Sequence, residues 1–144
     1  MRPLLIVSDS HGLKDELFEL FLKYKDYYII HLGDYCINDS LLEKRNICFV
    51  RGNCDLSFAP VERLLNIDGN IIFMTHGHKY NVKSQMNSLY YKALENKANY
   101  CLYGHTHIEA LFSSDGITFI NPGSFKSNRS YCVIENGEVI FKRM

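Results

Sequence analysis

The chain has 144 residues, enough for a domain with its own hydrophobic core, and we expect residues 1–144 to form one domain. Its 16 basic and 16 acidic residues cancel, so net charge gives no argument for a nucleic acid or a membrane surface as a partner. No stretch approaches the roughly 18 consecutive apolar residues that a membrane helix needs.

The first residues do not have the pattern of a targeting signal. Their apolar run is short and meets Ser8 and Asp9 without a small-residue cleavage site, so we expect no signal peptide and a cytoplasmic protein. The cysteine count is odd, at five, and no Cys-x-x-Cys occurs, which argues against a disulfide framework and a cysteine-rich zinc site. Cys48, Cys101 and Cys132 lie in apolar runs and are expected to be small buried side chains.

The N-terminal half predicts strands that alternate with helical sequence. A continuous apolar run predicts a buried strand at residues 4–7. Apolar residues then recur at helical spacing from Leu13 to Tyr24, which predicts a helix. Two further strands are predicted at residues 27–32 and 47–50.

The C-terminal half is predicted to be richer in strands. Residues 61–67 and 71–74 flank an Asp-Gly-Asn turn and predict a hairpin. A second long helix is predicted from the apolar stripe Val82, Met86, Leu89, Tyr90, Ala93 and Leu94. Further strands are predicted at residues 100–103, 108–112, 117–120, 131–134 and 139–141. With Asp-Gly and Asn-Gly hairpin turns after residues 114 and 135, the pattern favours two packed sheets with helices outside.

Many of the predicted strands end in a glycine-containing turn with polar side chains. In open α/β sheets, sites form outside the carboxyl ends of strands, where glycine lets the backbone turn sharply. We therefore expect seven potential metal ligands to converge: Asp9, His11, Asp34, Asn53, His76, His105 and His107.

These ligands predict a centre with two metal ions. Seven ligands are too many for one tetrahedral zinc but suit two divalent ions about 3.5–4 Å apart that share a carboxylate. Two carboxylates and a bridging hydroxide would leave about one positive charge, which favours a phosphate-containing substrate. Oxygen and imidazole ligands without thiolate suit manganese, iron, nickel or zinc.

Single residues in this set also have ordinary explanations. Asn53 could cap a helix, and Gly33-Asp34 is a common turn. The His-Thr-His segment at residues 105–107 is more specific, because alternating residues can aim two imidazoles from one piece of backbone. His31 lies within a predicted strand and is expected to be structural, whereas His78 could orient His76 or lie on the surface.

The ordered motifs resemble those of the calcineurin-like metallophosphoesterases, and in particular its compact bacterial and archaeal phosphodiesterases. The motifs are Asp9-x-His11, Gly33-Asp34, Arg51-Gly-Asn-Cys-Asp55, Thr75-His-Gly-His78, Gly104-His-Thr-His107 and Asn121-Pro-Gly-Ser124. The resemblance implies a four-layer αββα sandwich of two mixed sheets flanked by helices. It also implies two divalent metals, with manganese favoured, and hydrolysis of a small phosphodiester by a hydroxide that bridges them.

The resemblance assigns the ligands to two ions. The first set is Asp9, His11, Asp34 and His107, and the second is Asp34, Asn53, His76 and His105. Asp34 would bridge, which fits the chemistry because a carboxylate has two oxygens to share and a neutral imidazole cannot bridge. Arg51 could bind a phosphate oxygen or could be a surface residue.

The sequence departs from the family pattern directly after the asparagine. Many members have histidine there, where it helps to bind phosphate and assists the leaving group, but this chain has Cys54. Cysteine is a poor substitute as a donor near neutral pH, so we expect diesters to be hydrolysed in preference to monoesters.

Two other functions stay open. A retromer subunit shares this compact fold and acts mainly by binding partners, so a protein-interaction scaffold is the main alternative to an enzyme. A redox-regulated module with Cys54 as a reactive thiol beside the metals is the other. The aromatic content also leaves room for an apolar homo-oligomer surface.

Overall fold

The structure, a computed structural model, describes residues 1–144. The elements in chain order are β1 (Leu4–Val7), α1 (Lys14–Lys23), β2 (Tyr28–His31), α2 (Asp39–Glu43), β3 (Cys48–Phe49), β4 (Glu62–Ile67), β5 (Asn70–Thr75), a 3-10 turn (His78–Tyr80), α3 (Asn87–Glu95), β6 (Tyr100–Leu102), β7 (Ala110–Ser114), β8 (Ile117–Asn121), α4 (Phe125–Asn128), β9 (Ser130–Glu135) and β10 (Glu138–Arg143).

The first sheet combines the start and the end of the described chain. Its strand order is β10-β9-β1-β2-β3. Strands β1, β2 and β3 are parallel, so their carboxyl ends lie at the same edge. The β9–β10 hairpin lies antiparallel to β1, with Leu5 opposite Val133. Its turn residues Asn136 and Gly137 both have positive φ, at 52° and 76°, as the predicted Asn-Gly hairpin requires.

The second sheet has the order β4-β5-β6-β8-β7. Strands β5, β6 and β8 are parallel, and β4 and β7 lie antiparallel at the two edges. The predicted β4–β5 hairpin is confirmed, with Ile67 opposite Asn70 across its turn. Each sheet therefore has three parallel strands whose carboxyl ends share one edge.

Alternation along β1 shows how the layers form. Leu4 and Ile6 are buried in the core between the two sheets, together with Met74 and Leu102 of the second sheet. Leu5 and Val7 point the other way, into a core shared with Leu17 of α1 and its neighbours. The helix α3 covers the outer face of the second sheet through Leu89 and Ala93. The four-layer αββα sandwich is confirmed.

Two predicted elements have different bounds in the structure. The second long helix begins at Asn87, not near Val82, and residues 81–84 form a turn before it. Val82 is buried outside the helix, and Leu94, the last residue of the predicted apolar stripe, is 43% exposed. Strand β7 begins at Ala110, two residues later than predicted. The short helices α2 and α4 had no counterpart in the prediction.

The five cysteines are free thiols. Cys101 and Cys132 are buried and Cys48 is half-buried, whereas Cys36 and Cys54 are exposed. The two exposed thiols lie at the carboxyl-end edge of the first sheet, close to several of the predicted metal ligands. None of the helices combines the length and the hydropathy that crossing a membrane requires.

Candidate metal centre

The carboxyl ends of the parallel strands bring six of the seven predicted ligands together. Asp9 and His11 follow β1, and Asp34 follows β2. His76 follows β5, and His105 and His107 follow β6. The centre is therefore built from both sheets, with its two carboxylates from the first sheet and three of its four imidazoles from the second.

Asp9 presents one carboxylate oxygen that has no donor. Its Oδ2 accepts hydrogen bonds from the Ser8 hydroxyl at 2.6 Å and from the His105 amide at 3.1 Å. Its Oδ1 is buried without a hydrogen-bond partner and lies 3.1 Å from His107 Nε2. The Nε2 atoms of His11 and His76 each lie 3.8 Å from the same oxygen. A buried, unpaired carboxylate oxygen surrounded by imidazole nitrogens fits a cation.

Asp34 directs one oxygen towards an imidazole from each sheet. Its Oδ1 accepts the Cys54 amide hydrogen at 2.9 Å. Its Oδ2 lies 3.2 Å from His76 Nε2 and 3.8 Å from His11 Nε2. Burial alone would raise the pKa of Asp34, but hydrogen bonding and charge from His76 hold it well below its usual range. Asp34 therefore stays ionised between His11 and His76.

His76 is oriented for ligation by the backbone. Its Nδ1 donates to the Leu32 carbonyl at 2.9 Å, which leaves Nε2 to face the centre. His105 Nδ1 lies 3.2 Å from that Nε2. Burial alone would lower the pKa of His76, yet the hydrogen bond to Asp34 and the charge of Asp9 raise it. The two carboxylates thus favour positive charge at this position.

The potential ligand atoms fall into two principal groups. One group is Asp9, His11 and His107, and the other is Asp34, His76 and His105, with all atoms of each group within 4.8 Å of one another. A third group joins His11, Asp34 and Cys54 in the same way. The oxygen and imidazole donors, together with the unpaired Asp9 oxygen, fit two divalent cations.

Most of the candidate ligands have strained backbone conformations. Five non-glycine residues of the set have positive φ: Asp9 (53°), His11 (41°), Asp34 (58°), His105 (71°) and His107 (66°). Each such conformation costs on the order of 1–2 kcal/mol for an L-residue and tends to occur at functional sites. The surrounding structure therefore holds these side chains in place at a cost in stability.

The sequence did not show how Asp55 supports the centre. Its two carboxylate oxygens accept backbone hydrogens from Asp34 at 2.8 Å, Gly52 at 2.7 Å and Cys36 at 2.8 Å. These bonds fix the turn that carries Asp34 and the turn that follows β3. The only sign of this role in the sequence is that Asp55 ends the short Gly-Asn-Cys-Asp stretch. Carboxylates in such turns often accept backbone hydrogens.

The segment after β8 supports Asp9 and the His-Thr-His turn. Asn121 Nδ2 donates to the Gly104 carbonyl at 3.2 Å and to Thr106 Oγ1 at 2.9 Å. Ser124 Oγ donates to the Asp9 carbonyl at 3.1 Å, and the Lys126 amide donates to the same carbonyl at 3.0 Å. This role was not predicted, although the Asn-Pro-Gly-Ser motif marked the segment.

Asn53 and Arg51 are placed differently from the six clustered residues. Asn53 is exposed, and its Nδ2 lies 3.7 Å from Cys54 Sγ without a hydrogen bond to any of the six. Arg51 Nε donates to the Ala59 carbonyl at 2.9 Å, which ties down the connection before β4. Metal ligation by Asn53 and phosphate binding by Arg51 stay predictions.

His31 and His78 also lie near the centre without pointing into it as ligands. His31 is fully buried, with Nε2 at 2.9 Å from Ser10 Oγ and Nδ1 accepting from the Gly33 amide at 3.1 Å. Burial lowers the pKa of His31 to about 3, so it is neutral and structural, as predicted. The His78 ring lies 5.5 Å from the His76 ring, and burial followed by the charge of His76 lowers the pKa of His78 to about 4.

Cys54 lies at the centre but is not an activated thiol. Burial and the negative charge of Asp34 raise the pKa of Cys54 above its usual value. The protonated thiol is a weak nucleophile and a weak hydrogen-bond donor. A weak donor of this kind is a poor replacement for the histidine of the family pattern.

Comparisons with known proteins agree with this geometry. A model of the calcineurin-like phosphoesterase superfamily domain matches residues 1–136. The probable metallophosphoesterase YsnB of Bacillus subtilis is 36% identical over 87% of this chain and 76% of its own length. A predicted phosphoesterase from Streptococcus pneumoniae has a crystal structure that superposes with a TM-score of 0.92 at 27% identity, covering 99% of this chain and 89% of that one.

More distant relatives have different names. The phosphodiesterase YfcE of Escherichia coli is 28% identical over 86% of this chain and 79% of its own length. The vacuolar protein sorting-associated protein 29 of Schizosaccharomyces pombe is 27% identical over 94% of this chain and 79% of its own length. The family match spans most of the chain and includes every candidate ligand. The chain therefore belongs to the calcineurin-like phosphoesterase superfamily.

Proposed function

We propose that the chain is a metal-dependent phosphodiesterase that acts with two divalent cations. Asp9, His11, Asp34 and His107 would hold the first, and Asp34, Asn53, His76 and His105 would hold the second. The observation that carries the proposal is the buried Asp9 Oδ1, which has no hydrogen-bond partner and faces the Nε2 atoms of three histidines. No hydrogen-bond donor of the chain pairs with this oxygen.

The cations, when bound, supply Lewis-acid chemistry that polarises phosphoryl oxygens and makes water more acidic. The chain's own contribution is to hold the donors in place before the substrate arrives. Asp34 is fixed by the Cys54 amide and through Asp55, and Asp9 by Ser8 and His105. Such preorganisation avoids reorganisation during the reaction.

The residue at position 54 favours a diester as the substrate. A phosphomonoester carries an additional negative charge, which an imidazolium beside the centre would help to bind, and a poor leaving group needs a proton donor. Cys54 supplies neither, because a protonated thiol carries no positive charge and is a weak hydrogen-bond donor. The similarity to a relative named as a phosphodiesterase supports the same substrate class.

The donor set leaves several metals compatible with the centre. Imidazole and carboxylate ligands suit manganese, iron, nickel and zinc, and we propose manganese as the native ion. Calcium or magnesium alone would be poorly matched, since four of the seven proposed ligands are imidazoles. The small organic phosphodiester and the metal ions are the partners that this function requires.

The decisive experiment measures metal content and turnover on one purified sample. The protein is stripped with a chelator, reloaded with manganese, and assayed with bis(4-nitrophenyl) phosphate beside 4-nitrophenyl phosphate. We expect two metal ions per chain and metal-dependent cleavage that favours the diester. A sample that binds no metal after reloading would overturn the proposal.

The scaffold alternative is supported by one structural observation. Leu56 and Phe58, on the connection after Cys54, are fully exposed apolar side chains of the kind that mark protein contacts. The similarity to vacuolar protein sorting-associated protein 29 points in the same direction. Two bound metals without cleavage of any tested diester would favour this alternative.

A further inference from the structure

A cavity of about 420 Å³ opens directly beside the candidate metal centre. It is lined by Cys36, Ile37, Asn38, Cys54 and Leu56. Its volume falls in the range of about 300–1,000 Å³ that is common for small-molecule sites. Its lining includes none of the seven proposed metal ligands.

Two thiols of the lining lie next to candidate metal ligands. Cys36 Sγ lies 3.9 Å from His11 Nδ1. Cys54 Sγ lies within 4.8 Å of the nearest ligand atoms of His11 and Asp34. A phosphate bound at the centre would therefore have one of its ester substituents within reach of this cavity.

The lining is uncharged and mainly apolar. None of its five residues is acidic or basic. The Asn38 side-chain oxygen accepts from the Ser40 amide at 3.0 Å, whereas its Nδ2 makes no hydrogen bond within the protein. The cavity thus offers apolar contact and one free amide donor.

Leu56 is the unusual member of this lining. It is 101% exposed although it lies beside a cavity, so its side chain has gained nothing from folding. A planar apolar group bound in the cavity would cover part of Leu56 and remove apolar surface from water. Ile37, which is partly buried against the core of the first sheet, would contact the same bound group.

We propose that this cavity binds an uncharged aromatic substituent of the phosphodiester substrate. Leu56 and Ile37 contact the ring, and Asn38 Nδ2 donates to one acceptor on it. The inference deepens the proposed function and rests on it, because the phosphate must bind at the metal centre. It predicts that the enzyme selects diesters by their ester groups as well as by their phosphate.

The first test compares the binding of two slowly hydrolysed diesters to the manganese-loaded protein by calorimetry. Diphenyl phosphate should bind about tenfold or more tightly than dimethyl phosphate, as expected for an apolar group that fills a matching pocket. Leu56→Ser should reduce this ratio towards one. Since Leu56 is fully exposed, the substitution leaves the folded core unchanged.

Two matched controls come from the chain itself. Phe58 is as exposed as Leu56 but lines a different cavity, and Ile108 lines a cavity beyond the His-Thr-His turn. Phe58→Ser and Ile108→Ser should keep the binding ratio of the parent protein. An equal loss in Leu56→Ser and either control would overturn the assignment.

A second measurement does not depend on turnover. Diphenyl phosphate should slow the alkylation of Cys36 and Cys54, whereas dimethyl phosphate should not, with labelled positions identified by mass spectrometry. Equal affinities for the two diesters, or unchanged alkylation, would overturn the cavity assignment even if the protein hydrolyses diesters. Selective binding and protection without hydrolysis of any diester would support the cavity and overturn the proposed function instead.

Discussion

Asp9 and Asp55 have opposite energetic roles although both are carboxylates at the same centre. Asp55 accepts three backbone hydrogens, so the folded protein uses both of its oxygens. Asp9 keeps one buried oxygen without a partner. A buried unpaired acceptor costs about 1–3 kcal/mol, so Asp9 should lower the stability of the metal-free protein.

We expect Asp9→Asn to stabilise the metal-free protein by about 1 kcal/mol while it abolishes tight manganese binding. The asparagine oxygen can still accept from Ser8 and His105, and its NH₂ group can donate to the Nε2 of His107 where Oδ1 now lies unpaired. Urea unfolding in a chelator and metal titration measure the two effects. Asp55→Asn is the control and should destabilise by about 2 kcal/mol, because one amide oxygen cannot replace two carboxylate oxygens. Destabilisation of similar size in both variants would contradict this account.

His31 should make stability depend on pH. Its pKa is lowered by burial from 6.5 to about 3, so the unfolded chain binds a proton that the folded chain excludes. The stability that neutral His31 contributes is therefore complete above pH 6.5. It is lost as the pH falls from there towards the folded-state pKa, by up to about 1.4 kcal/mol per pH unit.

The measurement is the free energy of unfolding in a chelator across this pH range, for the parent protein and for His31→Asn. The asparagine oxygen can accept from the Gly33 amide as His31 Nδ1 does, but asparagine does not titrate. The difference between the two proteins should shrink as the pH falls. A constant difference would show that His31 is not the titrating group.

At the scale of the elements, the strands of the second sheet differ in what they contribute. Leu102 in β6 is fully buried between the sheets, whereas Leu111 in the edge strand β7 is 49% exposed. We expect Leu102→Ala to destabilise by about 2–5 kcal/mol, as core truncations do, and Leu111→Ala by less than about 1 kcal/mol. Urea unfolding of both variants checks this, and similar losses would mean that β7 has a buried role.

The elements also show why part of the fold could be predicted from the sequence. Apolar runs such as residues 4–7 and the Asn136-Gly137 turn carry local information, and both form as expected. Helices α2 and α4 have only five and four residues, too few for a periodic pattern. The start of α3 at Asn87 falls inside the apolar stripe that begins at Val82, so apolar spacing alone does not report it.

The same division holds for the candidate centre. Its ligands follow strands that end at one edge, so topology alone predicts that six of them meet. The supports are different, because Asp55 and Asn121 act through bonds to backbone groups up to 21 residues away along the chain. Such bonds depend on tertiary structure, and no spacing in the sequence encodes them.

At the scale of the whole molecule, the centre joins the two sheets. Asp34 comes from the first sheet and His76 from the second, with 3.2 Å between their facing atoms. Cations bound there would hold the carboxyl-end edges of both sheets together. Because the unfolded chain lacks the assembled centre, metal binding should stabilise the folded state.

We expect manganese at a hundredfold excess over its dissociation constant to stabilise the parent protein by about 2.7 kcal/mol for each bound ion. Asp34→Asn should lose most of this gain, since Asp34 faces both groups of imidazoles. Asp26→Asn, at an exposed position, should keep it. Thermal unfolding with and without manganese provides the measurement, and an equal gain in all three proteins would point to metal bound elsewhere.

The bonds from the segment after β8 to Asp9 have a consequence for the timing of metal loading. The backbone of Asp9 and Ser8 is fixed by amides of Lys126 and Phe125, more than a hundred residues further along the chain. A ribosome that has released only the first sheet's parallel strands has therefore produced the carboxylates but not the frame that aims them. Cation capture belongs to the end of synthesis, when the last strands have docked. Under the proposed function, the metal that fills the centre would then be set by the ions available to a finished chain.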